Sequence, residues 1–248
     1  MKMKAIMFVM ILFFGVSSAT AELIRPIVED NFNSYTNGSI VGQGNWTNHN
    51  NGNNFIVQGN TVFEGSNALY NNSLGDSTIR YYRGENLLAG KQVFYIKTEN
   101  RNSWSSSELR LYLFGNTNGG NIYGAYADVV FTQDGRAFYF NDLNNGYNTF
   151  DTYEDNTWTL LEIQWNTDYS NVDGRGRVHY TLNGGATRSA WAHNHGWLGL
   201  GQIDIRFNNM GSGGVYIDTL GAEPIPEPST IVLIITGLIA FYFFRRKK

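Results

Sequence analysis

The chain has 248 residues, with 18 lysines and arginines, 21 aspartates and glutamates, and no cysteine. Without cysteine it can form neither a disulfide framework nor a cysteine-ligated zinc site, so its stability must come from a hydrophobic core. About 200 residues are enough for one such core. The formal net charge of −3 argues against a nucleic-acid partner, whose binding needs clustered lysine and arginine.

The N-terminus has the three parts of a secretory signal peptide. Residues 1–4 contain two lysines, residues 5–16 are apolar, and the small residues that follow end in Ala19-Thr20-Ala21. This order, with Ala19 and Ala21 forming the A-x-A cleavage pattern, predicts a signal peptide over residues 1–21. The mature chain is then expected to begin at Glu22.

The C-terminus is an apolar run followed by cations. Residues 231–244 carry no charge, and residues 245–248 are all basic, beginning with Arg245 and Arg246. As a helix the run is about 21 Å long, shorter than a bilayer core of about 30 Å, so a buried core helix is an alternative. The missing polar face and the terminal cations favour a transmembrane helix over residues 229–244.

The apolar run is preceded by Pro226-Glu227-Pro228, whose prolines forbid a helix and keep the chain extended. This tripeptide, the hydrophobic segment and the basic tail together resemble the PEP-CTERM sorting signal of exopolysaccharide-producing Gram-negative bacteria, here over residues 223–248. The resemblance implies recognition by an exosortase-like integral-membrane protease or transpeptidase. It further implies an inner-membrane-anchored precursor and release to the cell surface or extracellular matrix. A proline linker before an ordinary membrane anchor is the alternative.

Removing the two targeting ends makes the exported part strongly acidic. Six of the 18 cations lie in those ends, and no acid lies before Glu22 or after Glu227. The exported part therefore has 18 − 6 = 12 basic and 21 acidic residues, a net charge of 12 − 21 = −9. This charge suits an extracellular protein and again excludes a nucleic-acid partner.

Between the ends, short segments with alternating apolar residues predict strand after strand and no helix. The predicted strands are Asn54–Gln58, Thr61–Glu64, Ala68–Asn71, Thr78–Arg83, Gln92–Thr98, Glu108–Gly115, Gly124–Thr132, Ala137–Asn141, Thr149–Tyr153, Trp158–Asn166, Gly176–Asn183, Gln202–Asn208 and Gly214–Leu220. Asp134-Gly135 and Asn183-Gly184-Gly185 have the composition of hairpin turns. The pattern predicts an all-β fold, a single antiparallel jelly-roll β-sandwich over residues 22–222.

The alternation also predicts which side chains form the core. Leu109, Leu111 and Leu113 share one strand face, as do Val178, Tyr180 and Leu182, and Ile203, Ile205 and Phe207. Trp158 and Trp165 are expected in the core, and Trp46 is expected to close an early loop.

Three segments resemble concanavalin A-like lectin and glucanase jelly rolls of bacterial surface proteins. They are residues 30–46, residues 158–163 and the closing strand at residues 215–218. The resemblance would cover about residues 28–222 and implies the fold more than the function, because the functions of that family are diverse.

A glycosidase site would need a pair of carboxyl groups. Laminarinase-like members of that family carry an E-x-D-x-E strand, and the nearest match here is Gln202-Ile203-Asp204-Ile205-Arg206. Both glutamate positions are lost, and neither an amide nor a guanidinium can replace them. No catalytic residue is therefore predicted, although an enzyme with an unrecognised pair of carboxyl groups stays an alternative.

Sugar binding needs aromatic platforms beside planar polar groups. Candidates in predicted loops are Trp104, Trp191, His193, Asn194 and Trp197, with burial as the alternative for each tryptophan. Candidates on strand faces opposite the core are Arg110, Tyr112 and His179, with Arg177, Gln202, Asp204 and Arg206 beside them. If the sheet curves, these strand residues are expected to converge, and a solvated sheet face is the alternative.

Asp30 and Asp218 lie near the first and last predicted strands, which often pair in sandwiches. The two carboxylates are candidates for a shared structural Ca²⁺, and two surface acids are the alternative. No other cofactor is predicted.

The sequence thus predicts an exported, noncatalytic carbohydrate-binding or matrix protein, with an exosortase, the membrane and exopolysaccharide as partners. A polysaccharide hydrolase and a purely structural matrix component are the alternatives.

Overall fold

A computed structural model describes residues 25–101, 108–115, 126–141, 146–167, 176–192, 199–209 and 211–221. The predicted signal peptide, the Pro-Glu-Pro motif, the transmembrane helix at residues 229–244 and the basic tail lie outside these ranges. Within them, the chain forms no helix of the length and apolarity needed to cross a membrane. The described part also has a short 3₁₀ turn at Gly52–Asn54.

Fifteen strands make up the described chain. They are β1 (Gly38–Ser39), β2 (Trp46–Asn50), β3 (Ile56–Gln58), β4 (Ala68–Asn71), β5 (Gly75–Leu87), β6 (Ala89–Glu99), β7 (Glu108–Phe114), β8 (Ala127–Thr132), β9 (Arg136–Asn141), β10 (Gly146–Thr152), β11 (Thr159–Asn166), β12 (Arg177–Leu182), β13 (Arg188–Trp191), β14 (Leu200–Asn209) and β15 (Gly214–Gly221).

The strands form two sheets packed as a sandwich. One sheet has eight strands in the order β1-β3-β4-β15-β6-β11-β12-β13, and the other has seven in the order β10-β9-β8-β7-β14-β5-β2. Neighbouring strands pair antiparallel throughout. The all-β jelly-roll sandwich predicted from the alternation is therefore confirmed.

The core lies between the two sheets and takes alternate residues from each strand. Leu109, Leu111 and Leu113 of β7 are fully buried, as are Ile203, Ile205 and Phe207 of β14. Val178, Tyr180 and Leu182 of β12 face them from the eight-stranded sheet and join the same hydrophobic cluster. Each fully buried side chain of this size contributes about 1.5–3 kcal/mol.

Two predicted turns join neighbouring strands as expected. Gly135 has φ 80° between β8 and β9, and Asn183 has φ 50° in the turn after β12. Glycine and asparagine tolerate this left-handed conformation, which explains their place in the turns.

One predicted strand does not form, and three strands were missed. Thr61–Glu64 is not a strand, because the amides of Phe63 and Glu64 donate to the Asp218 carboxylate at 2.7 and 3.1 Å instead of to a neighbouring strand. Strands β1, β2 and β13 were missed. Their sequences are short and mostly polar, so they carry little alternation to detect.

The positions of three tryptophans can be compared with those predicted. Trp165 is in the core as predicted and donates its Nε1–H to the Leu87 carbonyl at 3.2 Å. Trp158 is half-buried, stands before β11, and packs edge-on against Phe63, so the core prediction was wrong. Trp46 closes an early loop as predicted, because its carbonyl accepts from the Gly42 amide at 3.0 Å and its amide donates to the Gln43 carbonyl at 3.2 Å. It also begins β2 and is fully buried.

The first and last segments of the domain pair at Asp30, which forms an antiparallel bridge with Leu220 of β15. The Asp30 carboxylate accepts hydrogen bonds from the Tyr35 hydroxyl at 2.6 Å, the Trp46 indole N–H at 3.0 Å and the Phe32 amide at 2.8 Å. This one carboxylate therefore orders the first segment of the domain against its core.

Replacing Asp30 with alanine is expected to lower the free energy of unfolding by about 1–3 kcal/mol, because the buried Trp46 indole N–H loses its acceptor. Urea unfolding followed by tryptophan fluorescence measures the change. Asn31→Ala is the matched control, since within the described residues its side chain accepts one hydrogen bond, from the exposed Asn33 amide. Equal effects of the two variants would contradict this role of Asp30.

Candidate functional site

The outer face of the seven-stranded sheet carries charged side chains at positions that alternate with the core. Across four neighbouring strands, Arg80, Asp204, Tyr112 and Asp128 stand opposite one another in register. We call this surface the polar face. Its members are Asp76, Arg80, Glu108, Arg110, Tyr112, Asp128, Tyr147, Gln202, Asp204 and Arg206.

The centre of the polar face is a buried ion pair. The Arg80 guanidinium donates from Nε and Nη2 to the two oxygens of Asp204, at 2.7 and 2.6 Å. The two side chains are 5% and 1% exposed. Burial alone would lower the pKa of Arg80, but the hydrogen bonds and charge of Asp204 raise it, so the guanidinium stays ionised. The Gln202 amide donates to the same carboxylate at 2.9 Å.

A second network reaches the far edge of the sheet. Arg110 holds Glu108 through two hydrogen bonds of 2.6 and 3.0 Å and donates to the Tyr147 hydroxyl at 3.1 Å. Tyr147 in turn donates to Asp128. Burial raises the pKa of Tyr147, and the Asp128 charge raises it further, so its hydroxyl remains a donor at neutral pH.

The third arginine lines a small cavity. Arg206 donates to both oxygens of Asp76 at 2.7 and 3.0 Å. The cavity beside this pair has a volume of about 170 Å³. Its lining residues are His49, Asn50, Asp76, Thr78, Tyr112, Asp204 and Arg206.

The polar face differs from an ordinary solvated sheet face. Its central side chains are buried although they point away from the core, and Tyr112 and Phe114 form a hydrophobic cluster separate from the main one. Ionised groups are buried at a cost unless each is paired, and here every arginine has a carboxylate. With three arginines and four carboxylates, the described face has a formal charge of 3 − 4 = −1.

Such a face offers fixed planar donors and acceptors beside an aromatic ring. Tyr147 is 43% exposed, and Arg110 lies 5.6 Å from the centre of its ring. The arginines cannot attract an anionic ligand strongly, because carboxylates already hold their donor forks. The arrangement therefore suits a neutral, hydroxyl-rich ligand.

The predicted strand-face candidates fall on two different surfaces. Arg110 and Tyr112 converge with Gln202, Asp204 and Arg206 on the polar face, as expected. His179 and its neighbour Arg177 do not join them, because β12 belongs to the eight-stranded sheet. Their side chains lie on the outer face of that sheet, on the other side of the sandwich from the polar face. The expectation of one convergent surface was wrong for these two residues.

Of the candidates predicted in loops, only Trp191 lies in the described part of the chain. Trp191 is not in a loop but ends β13, half-buried beside Arg177. Trp104, His193, Asn194 and Trp197 lie outside the described residues.

Sequence reasoning missed Arg80, Asp128 and Tyr147. Thr78, Arg80 and Tyr82 occupy every second position of β5, and this spacing indicates one shared strand face. It does not identify Asp204 as the partner of Arg80. Tyr147 stands in a polar segment without a readable period, so only the tertiary structure brings it to Asp128.

The two proposed calcium ligands have separate sets of protein partners. Asp218 accepts from the amides of Phe63, Glu64 and Thr219, whereas Asp30 accepts from Phe32, Tyr35 and Trp46. Burial raises the pKa of Asp218. In the described part of the chain, no three acidic or histidine side chains are grouped as metal ligands. Each carboxylate already accepts three hydrogen bonds from N–H or O–H donors, and a shared ion stays a prediction.

Residues 224–247 match the family model described as the PEP-CTERM protein-sorting motif. This motif indicates an exported protein that an exosortase processes at the membrane. The match covers only the end of the chain, so it identifies the sorting signal and not the folded domain. A search of the curated proteins found no match.

Among solved structures, a sialidase matches 80% of this chain at a TM-score of 0.56 and 12% identity. The matched part is 18% of the sialidase, so this chain spans less than a fifth of that protein's length. An alginate lyase matches 80% of this chain and 96% of its own length at 15% identity and a TM-score of 0.48. A legume lectin-like domain from Entamoeba histolytica matches 68% and 88% at 12% identity and a TM-score of 0.41. The sialidase likeness supports the sandwich fold alone.

Replacing Arg80 with alanine is expected to lower the free energy of unfolding by about 3–5 kcal/mol, because Asp204 is left buried without its counter-charge. Arg136→Ala is the control, since the Arg136–Asp134 pair is exposed in a hairpin and should contribute little. Chemical denaturation measures both variants. Similar losses would contradict the central role of the buried pair.

Proposed function

We propose that this chain is a surface or matrix protein whose polar face binds a neutral polysaccharide without cutting it. The observation that carries the proposal is the outward-facing network of Arg80, Asp204, Arg110 and Tyr147. Each donor and acceptor in it is held at a fixed angle by a charged partner. Preorganised polar groups bind a ligand with less loss of side-chain freedom.

The sorting motif supports the location. A chain processed by an exosortase is exported, and we propose that it ends at the surface or in the matrix of a Gram-negative bacterium, beside exopolysaccharide. The net charge of −9 on the exported part favours a neutral partner over a polyanion at the polar face, which itself carries no unpaired arginine among its described residues.

Binding without hydrolysis is supported by the state of Asp204. The only acid of the Gln202–Arg206 segment is tied to Arg80 through both of its oxygens, and this lowers its value as a nucleophile or proton donor. The hydrolase alternative has a separate test, because release of reducing ends from a bound polysaccharide would assign it.

Tyr147→Ala is expected to weaken binding of neutral polysaccharide at least about tenfold, because it removes both the exposed ring and a hydroxyl held by two charged groups. Phe63→Ala is the matched control. Phe63 is 41% exposed against 43% for Tyr147 but stacks on Tyr95 of the other sheet.

The full-length chain in mild detergent would first be applied to an array of neutral and acidic glycans. The best neutral glycan would then be titrated by calorimetry with each variant. Equal affinities of the Tyr147 and Phe63 variants, or no neutral glycan bound at all, would overturn the proposal and favour a purely structural role.

The sorting part has its own test. Replacing Pro226 and Pro228 with alanine is expected to leave the tail on the protein, because the chain is no longer held extended for cleavage. Mass spectrometry of the C-terminal peptide, in cells with and without an exosortase, measures the outcome. Retention of the intact tail in every fraction of normal cells would reduce the segment to a plain membrane anchor.

A further inference from the structure

A second cavity lies on the outer face of the eight-stranded sheet, on the side of the sandwich away from the polar face. Strand pairing places Trp191, Arg177 and Asn166 in one row, and Ser189, His179 and Gln164 in the next. The cavity has a volume of about 380 Å³ and is lined by Gln164, Trp165, Asn166, Arg177 and His179. We call it the edge pocket.

The arginine of the edge pocket differs from those of the polar face. The Arg177 guanidinium lies 3.8 Å from the centre of the Trp191 ring, a stacking contact. Stacking uses the face of the guanidinium and leaves the donors in its plane available. In the described part of the chain, no carboxylate forms an ion pair with Arg177. Arg80, Arg110 and Arg206 are each held by a carboxylate.

Among the described residues, the surroundings of Arg177 add oriented polar groups and little negative charge. The Nδ1 atom of His179 is 2.8 Å from the Ser189 hydroxyl, and this hydrogen bond orients the imidazole ring. Glu162, the acid that follows along the same face of β11, is neutralised by an ion pair with Lys91. The pocket is therefore locally cationic on a domain whose exported net charge is −9.

We infer that the edge pocket binds a carboxylate-bearing sugar unit of an acidic polysaccharide. A planar guanidinium with free donors matches a carboxylate through two parallel hydrogen bonds, and Trp191 holds the guanidinium plane in place before the ligand arrives. His179 and Gln164 lie one row away, within reach of the hydroxyl groups of the same sugar. This site is separate from the polar face, so the chain has one surface for neutral glycan and another for acidic glycan.

The test is calorimetric titration of the full-length chain, in zwitterionic detergent, with oligogalacturonate and with neutral galacto-oligosaccharide of the same length. Arg177→Ala is expected to lower the affinity for oligogalacturonate at least about tenfold. Arg177→Lys keeps the charge but loses the planar fork, so it is expected to recover only a small part of that loss.

Arg188→Ala is the matched control, because Arg188 is an exposed arginine on the neighbouring strand β13 and its removal changes the net charge equally. It should alter the affinity less than twofold. Equal losses in the Arg177 and Arg188 variants, full recovery by lysine, or an equal loss of neutral-oligosaccharide binding in the Arg177→Ala variant would overturn the inference. Tyr147→Ala should leave uronate binding unchanged, so failure at one face is distinguishable from failure at the other. Circular dichroism confirms that each variant is folded.

Discussion

Strand β14 obeys one constraint on which both faces of its sheet depend, namely that successive side chains must point to opposite sides. Ile203, Ile205 and Phe207 enter the core, and this forces Gln202, Asp204 and Arg206 outward. Because β5 and β7 pair with β14 on either side, their outward residues stand beside these three. A one-residue slip would move the polar set into the core, so the hydrophobic packing also fixes the register of the polar face.

The buried ion pair is then a consequence of that register. Asp204 stands opposite Arg80 in the ladder, and the low exposure of both groups makes their separation costly. Pairing of this kind specifies geometry more than it adds stability, because desolvation offsets much of the attraction. A ligand that displaced a carboxylate would leave its arginine unpaired and would incur this cost. A ligand that bonds to polar atoms not used in the ion pairs would not.

The two outer faces show how the same residue type takes different roles. Arg110 donates hydrogen bonds to Glu108, two positions earlier on its own strand, whereas Arg177 stacks on the ring of Trp191 from the neighbouring strand. A carboxylate occupies the donor edge of a guanidinium, and an aromatic ring occupies only its face. The neighbour of each arginine therefore decides whether it can still hold an acidic ligand.

The sequence by itself determined the sandwich, the alternating core residues of β7, β12 and β14, and the sorting tail, since alternation, hydrophobic length and terminal charge are local patterns. It determined that Arg110, Tyr112 and His179 point away from the core. Only the tertiary structure decided that His179 lies on the eight-stranded sheet, that Tyr147 donates to Asp128, and that Trp191 stacks against Arg177. The physical reason is that strand order is set by packing between segments far apart in the chain, whereas alternation records only which face each residue takes.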